Sequence, residues 1–445
     1  MAAVHRHTIA VIGTGYVGLT AGACLAQLGH RVVCADLDPV KVAELNRGDV
    51  RILEEGLPEL VRAGLDAGRL RFVIGAADAV RGARTVFICV GTPTGPDGRA
   101  DLTAVDAVVE EIRPLLEPDS VLVTKSTVPV GTAARITAAL GRTDVGVVSN
   151  PEFLREGTSV SDFLQPDRVV IGSASPWAAA QVAELYAGVD APVVLADAAS
   201  AEVVKYAANC FLAVKLSYVN TLAELCEQVG ADIGRVTAAL GQDHRVGGAF
   251  LRPGPGWGGS CLPKDTRALL GTADSFGIDF PLVRAAIDTN AHQQTRIAAK
   301  ISRLCGGTDG SLAGVRIGLL GLTFKAGTDD LRDSPALAIA TELARRGAEL
   351  TAHDPAVPVI RHAELPAGIT VVDDPHQAAN GASGLVLCTE WPHYRGLDWT
   401  RVAAGLHRPV VVDTRNHLDP RALSAAGLAW HGTGTSPVEP ALTPV

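Results

Sequence analysis

The stretch at 253–266, "PGPGWGGSCLPKDT", places one cysteine, Cys261, behind a run of glycines and prolines and sets Lys264 and Asp265 shortly after it. A structural cysteine normally sits in an apolar strand or helix, where it packs as a small hydrophobe. A nucleophilic one needs approach space and a nearby positive charge that favours thiolate. The loop fits the second description. A thiolate adds to an aldehyde as a thiohemiacetal, and loss of a second hydride leaves a thioester that water opens to an acid.

Two polar pairs are placed to attend such chemistry. Lys205 and Asn209 lie four apart in a helical pattern and share a face, where an ammonium and an amide can hold an alcohol oxygen or stabilise an oxyanion. Glu152 and Glu156 are also four apart, in "NPEFLREG" beyond a strand end, one available as a base and the other for a ligand hydroxyl or carboxamide. Each pair has a plainer reading: a solvated lysine beside a packing asparagine, and glutamates paired with Arg155 or Arg168 on the surface.

A cofactor site is written nearer the start. "GTGYVG" supplies Gly13, Gly15 and Gly18 after a strand and at the opening of a helix. The first glycine allows a tight turn, the second lets backbone approach a pyrophosphate, and the third allows close helix–strand packing. The phosphates would rest on the positive helix N-terminus. Asp36 ends the next strand about 20 residues on, where an acid bonds ribose hydroxyls and repels a 2′-phosphate, so NAD is favoured over NADP. Thr92 in "VGTPT" and Thr127 in "KSTVPVG" fall at the ends of later strands. Lys325 and Arg332, in "GLTFKAGTDDLRDSP", could face a diphosphate, or form a salt-bridged surface with Asp329, Asp330 and Asp333.

The elements that must position these groups alternate. "HTIAVIG", "RVVCADLD", "TVFICVGTP", "SVLVTKSTV", "DVGVVSNPEF" and "DRVVIGS" read as buried strands between helical segments, which implies a parallel, doubly wound α/β sheet. A long helix follows from Ser200, a candidate N-cap, with Glu202 in its first turn, and a second helix follows Pro281. The alternation returns near Gly314 with "VRIGLLGLTF", "LTAHDP", "GLVLCTEW" and "PVVVDTR". The expectation is two Rossmann-like domains joined by a long central helix: 1–199 for NAD, 200–312 helical with the cysteine, 313–430 a second α/β unit, and 431–445 a flexible Pro/Thr/Gly tail.

Composition narrows the field. A net charge of -9 over 445 residues argues against a broad nucleic-acid footprint. The eight cysteines (Cys24, Cys34, Cys89, Cys210, Cys226, Cys261, Cys305 and Cys388) form no CxxC pair, which fits reduced thiols in a cytoplasmic protein. The twelve histidines form no HExxH or other ligand cluster, so no metal is expected. There is no signal-peptide pattern and no membrane-spanning run.

"GTGYVGLT", "VGTPT", "KSTVPVGT", "NPEFLREG", "EVVKYAAN", "GWGGSCLPKD" and "GLTFKAGTDDLRDSP" occur in the order and spacing of the nucleotide-sugar dehydrogenases, which the chain resembles over about residues 8–420. The likeness is to the UDP-glucose branch of that UDP-glucose/GDP-mannose family, and implies four-electron oxidation of UDP-glucose to UDP-glucuronate by NAD without release of the aldehyde. GDP-mannose or another nucleotide sugar is the runner-up substrate. The resemblance makes Cys261 the nucleophile and Lys205 with Asn209 the holders of the reacting oxygen. It makes Asp265 the partner of water and lysine, with Thr127 and Glu152 attending water and proton transfers. It brings Val17, Asp36, Lys41, Thr92, Thr127, Glu156, Lys264 and Arg332 to the cofactor. It brings Glu152, Phe153, Leu154, Arg155, Glu156, Lys205, Asn209, Phe250, Leu251, Arg252, Pro253, Gly254, Gly258 and Lys325 to the sugar nucleotide. Arg245 would reach a substrate in a neighbouring subunit, and the long helix would dimerise. The departures are Trp257 for Tyr or Phe, Leu262 for Phe, and a missing proline in "VRILEEGL". A two-electron hydroxyacid dehydrogenase would leave Cys261 unexplained, and a non-catalytic nucleotide-binding protein would have no need of Cys261, Lys205 and Asp265 together.

Overall fold

A computed structural model describes residues 6–95, 100–358 and 365–441. Its first sheet has eight strands: β1 (Thr8–Ile12), β2 (Arg31–Asp36), β3 (Leu70–Ile74), β4 (Thr85–Ile88), β5 (Val121–Thr124), β6 (Gly146–Ser149), β7 (Val169–Gly172) and β8 (Val193–Ala196). They lie in the order β3-β2-β1-β4-β5-β6-β7-β8. β4 to β7 are buried along their whole length, as expected where helices cover both faces of a parallel sheet. Ile9 and Val11 enter one apolar core and Ala10 and Ile12 another, so the period of two in β1 fills both sides.

The second sheet has β9 (Arg316–Leu320), β10 (Glu349–His353), β11 (Ile369–Val371), β12 (Leu385–Leu387), β13 (Val410–Asp413) and β14 (Ala429–His431). Its order is β11-β10-β9-β12-β13-β14, with all pairs parallel. Read from its own first strand this is the 3-2-1-4-5-6 winding of dinucleotide-binding sheets. By compactness the chain divides into two units, Met1–Ala208 with Arg267–Ile278 and Asn209–Thr266 with Asp279–Val445.

Three local expectations change. The first sheet is not wholly parallel, since β6 and β7 meet antiparallel through the pair Ser149 and Gly172. Between them lie an irregular stretch, 150–158, and one short helix, Ser159–Leu164. The long helix begins two residues early, at Ala198 rather than at Ser200, and runs to Val229. Asp197 takes the capping role, because its carboxylate accepts from the Ser200 N–H (2.8 Å) and hydroxyl (2.7 Å). Glu202 serves a different helix, accepting from Gly131 N (2.6 Å) and Ala133 N (2.8 Å) at the start of Thr132–Leu140.

The tail expectation also fails over its described part. Trp430 and Val438 pair as a β-bridge, the Gly434 N–H donates to Glu227 (2.8 Å), and the Ala441 N–H donates to the Ser424 carbonyl (3.0 Å). Composition suggested looseness, but Glu227 also binds Lys300 (2.8 Å) and Arg296 (3.0 Å), so the segment closes a charged network. Residues 442–445 lie outside the described residues.

Candidate functional site

In the first unit the glycine turn has the form its spacing required. Gly13 adopts φ 98°, and a Cβ there would stand 2.8 Å from the Cys89 carbonyl oxygen. A Cβ on Gly18 would fall 1.9 Å from the Gly13 oxygen, so the helix can approach the strand only without one. Around Gly15 a Cβ would meet no atom within 4 Å. Gly15 is also the N-cap of the helix Tyr16–Gln27, and no side chain caps it. The first-turn N–H groups, Val17 among them, are therefore left without a side-chain cap, which suits a pyrophosphate.

Asp36 closes the other side of this turn. Its carboxylate accepts from Thr14 N (3.1 Å), from the Thr14 hydroxyl, and from Lys41 Nζ (2.9 Å). Burial alone would push this carboxyl up, but the Thr14 and Lys41 hydrogen bonds outweigh it and hold it at about 2. The Thr92 hydroxyl donates to the Thr127 carbonyl (2.7 Å), which brings together two positions expected at the cofactor.

Glu152 follows β6 and is buried, as is Lys205 on the long helix. Lys205 Nζ donates to Glu152 Oε1 (2.7 Å) and to its backbone oxygen (2.7 Å), while the Leu154 N–H donates to Oε2 (2.6 Å). Burial would raise the Glu152 carboxyl, yet the Lys205 charge and these hydrogen bonds hold it below the usual carboxylate range. The plain reading of a solvated lysine is excluded. Arg155 turns away to Asp162 (2.5 Å), and Arg168 stacks on the Phe153 ring at 3.6 Å from its centroid. Glu156 is buried.

In the second unit, Cys261 directly precedes the helix Leu262–Ser275, and its carbonyl accepts the Asp265 N–H (2.9 Å). The thiol thus stands at a helix N-terminus, where the dipole favours thiolate. Of the eight cysteines it is the one not fully buried. Asp265 is buried and joins Lys264 Nζ (2.6 Å) to the Asn209 amide (2.5 Å). Lys205 and Asn209, four apart on one helix, thereby each hold a different carboxylate.

The cysteine loop is fixed by its own glycines. A Cβ on Gly258 would lie 1.9 Å from the Asp333 oxygen, and the Gly259 N–H donates to the Arg332 carbonyl (3.1 Å). These contacts lay the loop against the segment that carries Lys325 and Arg332. Lys325 Nζ lies 5.7 Å from the Phe324 ring centroid, and Arg332 pairs with Asp330 (2.7 Å). The Gly254 N–H donates to Asn220 (2.8 Å), Leu251 and Pro253 are buried, and Phe250 takes a positive φ of 60°. Arg252 and Arg245 are exposed, the latter paired with Asp243 (2.6 Å). Trp257 packs inward, its indole N–H donating to Ser217 (2.9 Å).

Sequence reasoning missed several residues here. Glu54 accepts from the Tyr16 hydroxyl, Gly157 N (2.7 Å) and Ser159 N (2.8 Å), tying the glycine-loop helix to the segment after Glu156. Arg415 bonds the Phe324 carbonyl (2.8 Å), and its guanidinium lies 3.2 Å from where a Gly254 Cβ would sit. Its place after a parallel strand, in "VVVDTR", was a usable signal. Lys125 directly follows β5 and reaches Asn150. Among the described residues no helix is long and apolar enough to cross a membrane, and no group of three or more side chains could hold a metal.

An open glycine turn, an acid on the next strand and a buried lysine–carboxylate pair define a dinucleotide-dependent oxidoreductase. Family models match residues 7–190 as the NAD binding domain, 199–292 as the central domain and 318–420 as the UDP binding domain of one family. The chain is 42% identical over 431 residues to the UDP-glucose 6-dehydrogenase TuaD of Bacillus subtilis, covering 96% of this chain and 93% of that one. It is 43% identical over 418 residues to the UDP-glucose 6-dehydrogenase of Rhizobium meliloti, covering 92% and 95%. A solved UDP-glucose dehydrogenase of Pyrobaculum islandicum superposes with a TM-score of 0.88 at 38% identity, covering 98% of this chain and 99% of that one. The chain belongs to the UDP-glucose/GDP-mannose dehydrogenase family and is an NAD-dependent oxidoreductase.

Proposed function

We propose that the chain oxidises UDP-glucose to UDP-glucuronate, consuming one water and yielding two hydrides per sugar, with the intermediate held on Cys261. The observation that carries this reading is the placement of Cys261, a partly open thiol at a helix N-terminus beside the Lys264–Asp265–Asn209 chain, in a protein similar over nearly its full length to UDP-glucose 6-dehydrogenases. NAD, when bound against Gly13, Gly15, Val17, Asp36 and Thr92, supplies the hydride acceptor.

The chain's own residues do the rest. The Cys261 thiolate adds to the aldehyde carbon, giving a thiohemiacetal that becomes a thioester once its second hydride has left. Water then breaks the C–S bond, releasing the acid and restoring the thiol. Lys205 and Asn209 hold the reacting oxygen, Asp265 attends the water with Lys264, and Thr127 and Glu152 serve the proton transfers. The 152–156 segment, 250–254, Gly258, Lys325 and Arg332 take the nucleotide sugar and cofactor phosphates. A homodimer or larger assembly on the long helix is supported by Phe211, Tyr218 and Leu225, seven apart and 64%, 57% and 55% exposed. Arg245, which is exposed, would serve the neighbouring subunit. Eight cysteines, none in a disulfide, support a cytoplasmic location.

The test is the NADH formed per UDP-glucose at limiting sugar. About two, with UDP-glucuronate as product, is expected from the thioester route. About one would show that oxidation stops at the aldehyde, and none would move the substrate to another nucleotide sugar. In the same assay Cys261→Ser is expected to lose turnover by on the order of a thousandfold or more.

A further inference from the structure

Lys125 directly follows the buried strand β5 and is 4% exposed. Its Nζ donates to Asn150 Oδ1 (3.2 Å) and to the Tyr186 hydroxyl (3.3 Å), and stands 5.5 Å and 5.8 Å from the Phe163 and Tyr186 ring centroids. The Tyr186 hydroxyl donates in turn to Asn150 Oδ1 (2.7 Å), and Asn150 Nδ2 donates to the Val170 carbonyl (2.8 Å). None of the ion pairs among the described residues includes Lys125. A buried ammonium in no direct ion pair is costly, and packing does not call for one, since an unbranched apolar chain would fill the space between two rings. What lies in its reach is chemistry: Asn150 is two residues before Glu152, and Lys125 is two residues before Thr127.

We propose that Lys125 is a positioning residue for the oxidation: it fixes the Asn150 turn from which Glu152 projects and supplies a second positive charge behind that carboxylate. The inference rests on Glu152 acting as an anion in the reaction proposed above. The charged and titratable groups that act on Glu152 across its packed neighbours are consistent with it. Lys205 approaches from the long helix at 2.7 Å, Lys125 acts from the end of β5, and Cys89 lies after β4. Burial pushes the Cys89 thiol up to about 12, so it adds no charge near neutrality. Burial also works to raise the Glu152 carboxyl, and the Lys205 charge first, with Lys125 behind it, holds it down.

The experiment is the pH profile of kcat for the full-length enzyme and its Lys125→Met and Lys125→Arg variants, with thermal melts alongside. Wild-type turnover of UDP-glucose tests the functional reading by itself. If another nucleotide sugar is the one oxidised, the same comparison is run with it. For Lys125→Met the acid limb is expected to move to higher pH, because less positive charge beside Glu152 makes the carboxylate harder to ionise. Lys125→Arg should return the limb toward the wild-type position. An unmoved limb in a folded Lys125→Met enzyme overturns the proposal even if the rate falls. Should that variant not fold, Asn150→Asp sets a negative charge against Lys125 Nζ and must move the limb the same way, and an unmoved limb there is equally fatal.

Discussion

In the first sheet β1 runs into Gly13 at φ 98°, whose N–H donates to the Ala35 carbonyl at 2.8 Å. In the second, β9 runs into Gly321 at φ 95°, whose N–H donates to the His353 carbonyl at 2.8 Å. Each turn then sends N–H and hydroxyl donors to an aspartate that follows or ends the neighbouring strand, Asp36 or Asp354. Two residues on, the turns part. Gly15 faces open space and the helix starts at Tyr16, whereas Thr323 occupies the matching place and the helix waits until Pro335. Asp36 stays partly exposed, while Asp354 is buried and also takes the Trp391 indole N–H (3.2 Å). One corner is left open for a ligand and the other is filled by the protein's own side chains. The acid at the second strand is therefore not the signal by itself; the bare position before the helix is.

The largest expected effect comes from exchanging that bare position. Gly15→Ala places a methyl group where no protein atom stands, so the fold should keep its melting temperature while KM for NAD rises by on the order of tenfold or more. Thr323→Gly, the mirror change, removes the hydroxyl that donates to Asp354 and should lower the melting temperature with no change in KM for NAD. Steady-state kinetics and melts on both variants check the pair. A Gly15→Ala enzyme with unaltered KM would mean that the open turn is not where the dinucleotide lies.

How much of this was legible depends on how local each feature is. Gly13, Gly15, Gly18 and Asp36 follow from turn chemistry and strand period, and the structure keeps them in place. Ten strands stood out as apolar runs, but β3, β8, β11 and β14 did not: two of these are only three residues long, and β8 is exposed along its edge. Long-range polar pairings were invisible. Nothing in "VRILEEGL" says that Glu54 will meet Gly157 and Ser159, and nothing around Glu202 says that it will cap a helix some 70 residues earlier. Cys261 drew notice for its irregular loop, yet its place at a helix N-terminus emerges only from the fold.

The aspartates carry the next contrast. Asp354→Asn sets an amide donor either against the Ala356 N–H, which now donates to Oδ1 at 2.9 Å, or against the four donors on Oδ2. Leaving one such donor unsatisfied costs about 1–3 kcal/mol, so a clear fall in melting temperature is expected with NAD use unchanged. Asp36→Asn should do the reverse: a small loss of stability, a KM for NAD raised several-fold, and measurable use of NADP as the repulsion of a 2′-phosphate is relieved. Equal melting temperatures for the two variants would erase the distinction between an open and a filled corner.

The smallest effect concerns acid. Asp36 titrates at about 2 in the folded protein, against about 3.9 for an ordinary aspartate. Burial opposes this, so the depression belongs to the Thr14 and Lys41 hydrogen bonds. A carboxyl depressed on folding contributes stability that is fully present above its unfolded value and is lost as pH falls through the folded one. Asp36→Asn lacks that contribution at every pH. The melting-temperature gap between wild type and Asp36→Asn should thus be constant near neutrality and close between about pH 4 and about pH 2. Melts of the two proteins across that range decide it. A gap that persists to the acid end would mean that the Thr14 and Lys41 contacts do not depend on the charge of Asp36, leaving hydrogen-bond geometry alone to hold the corner open.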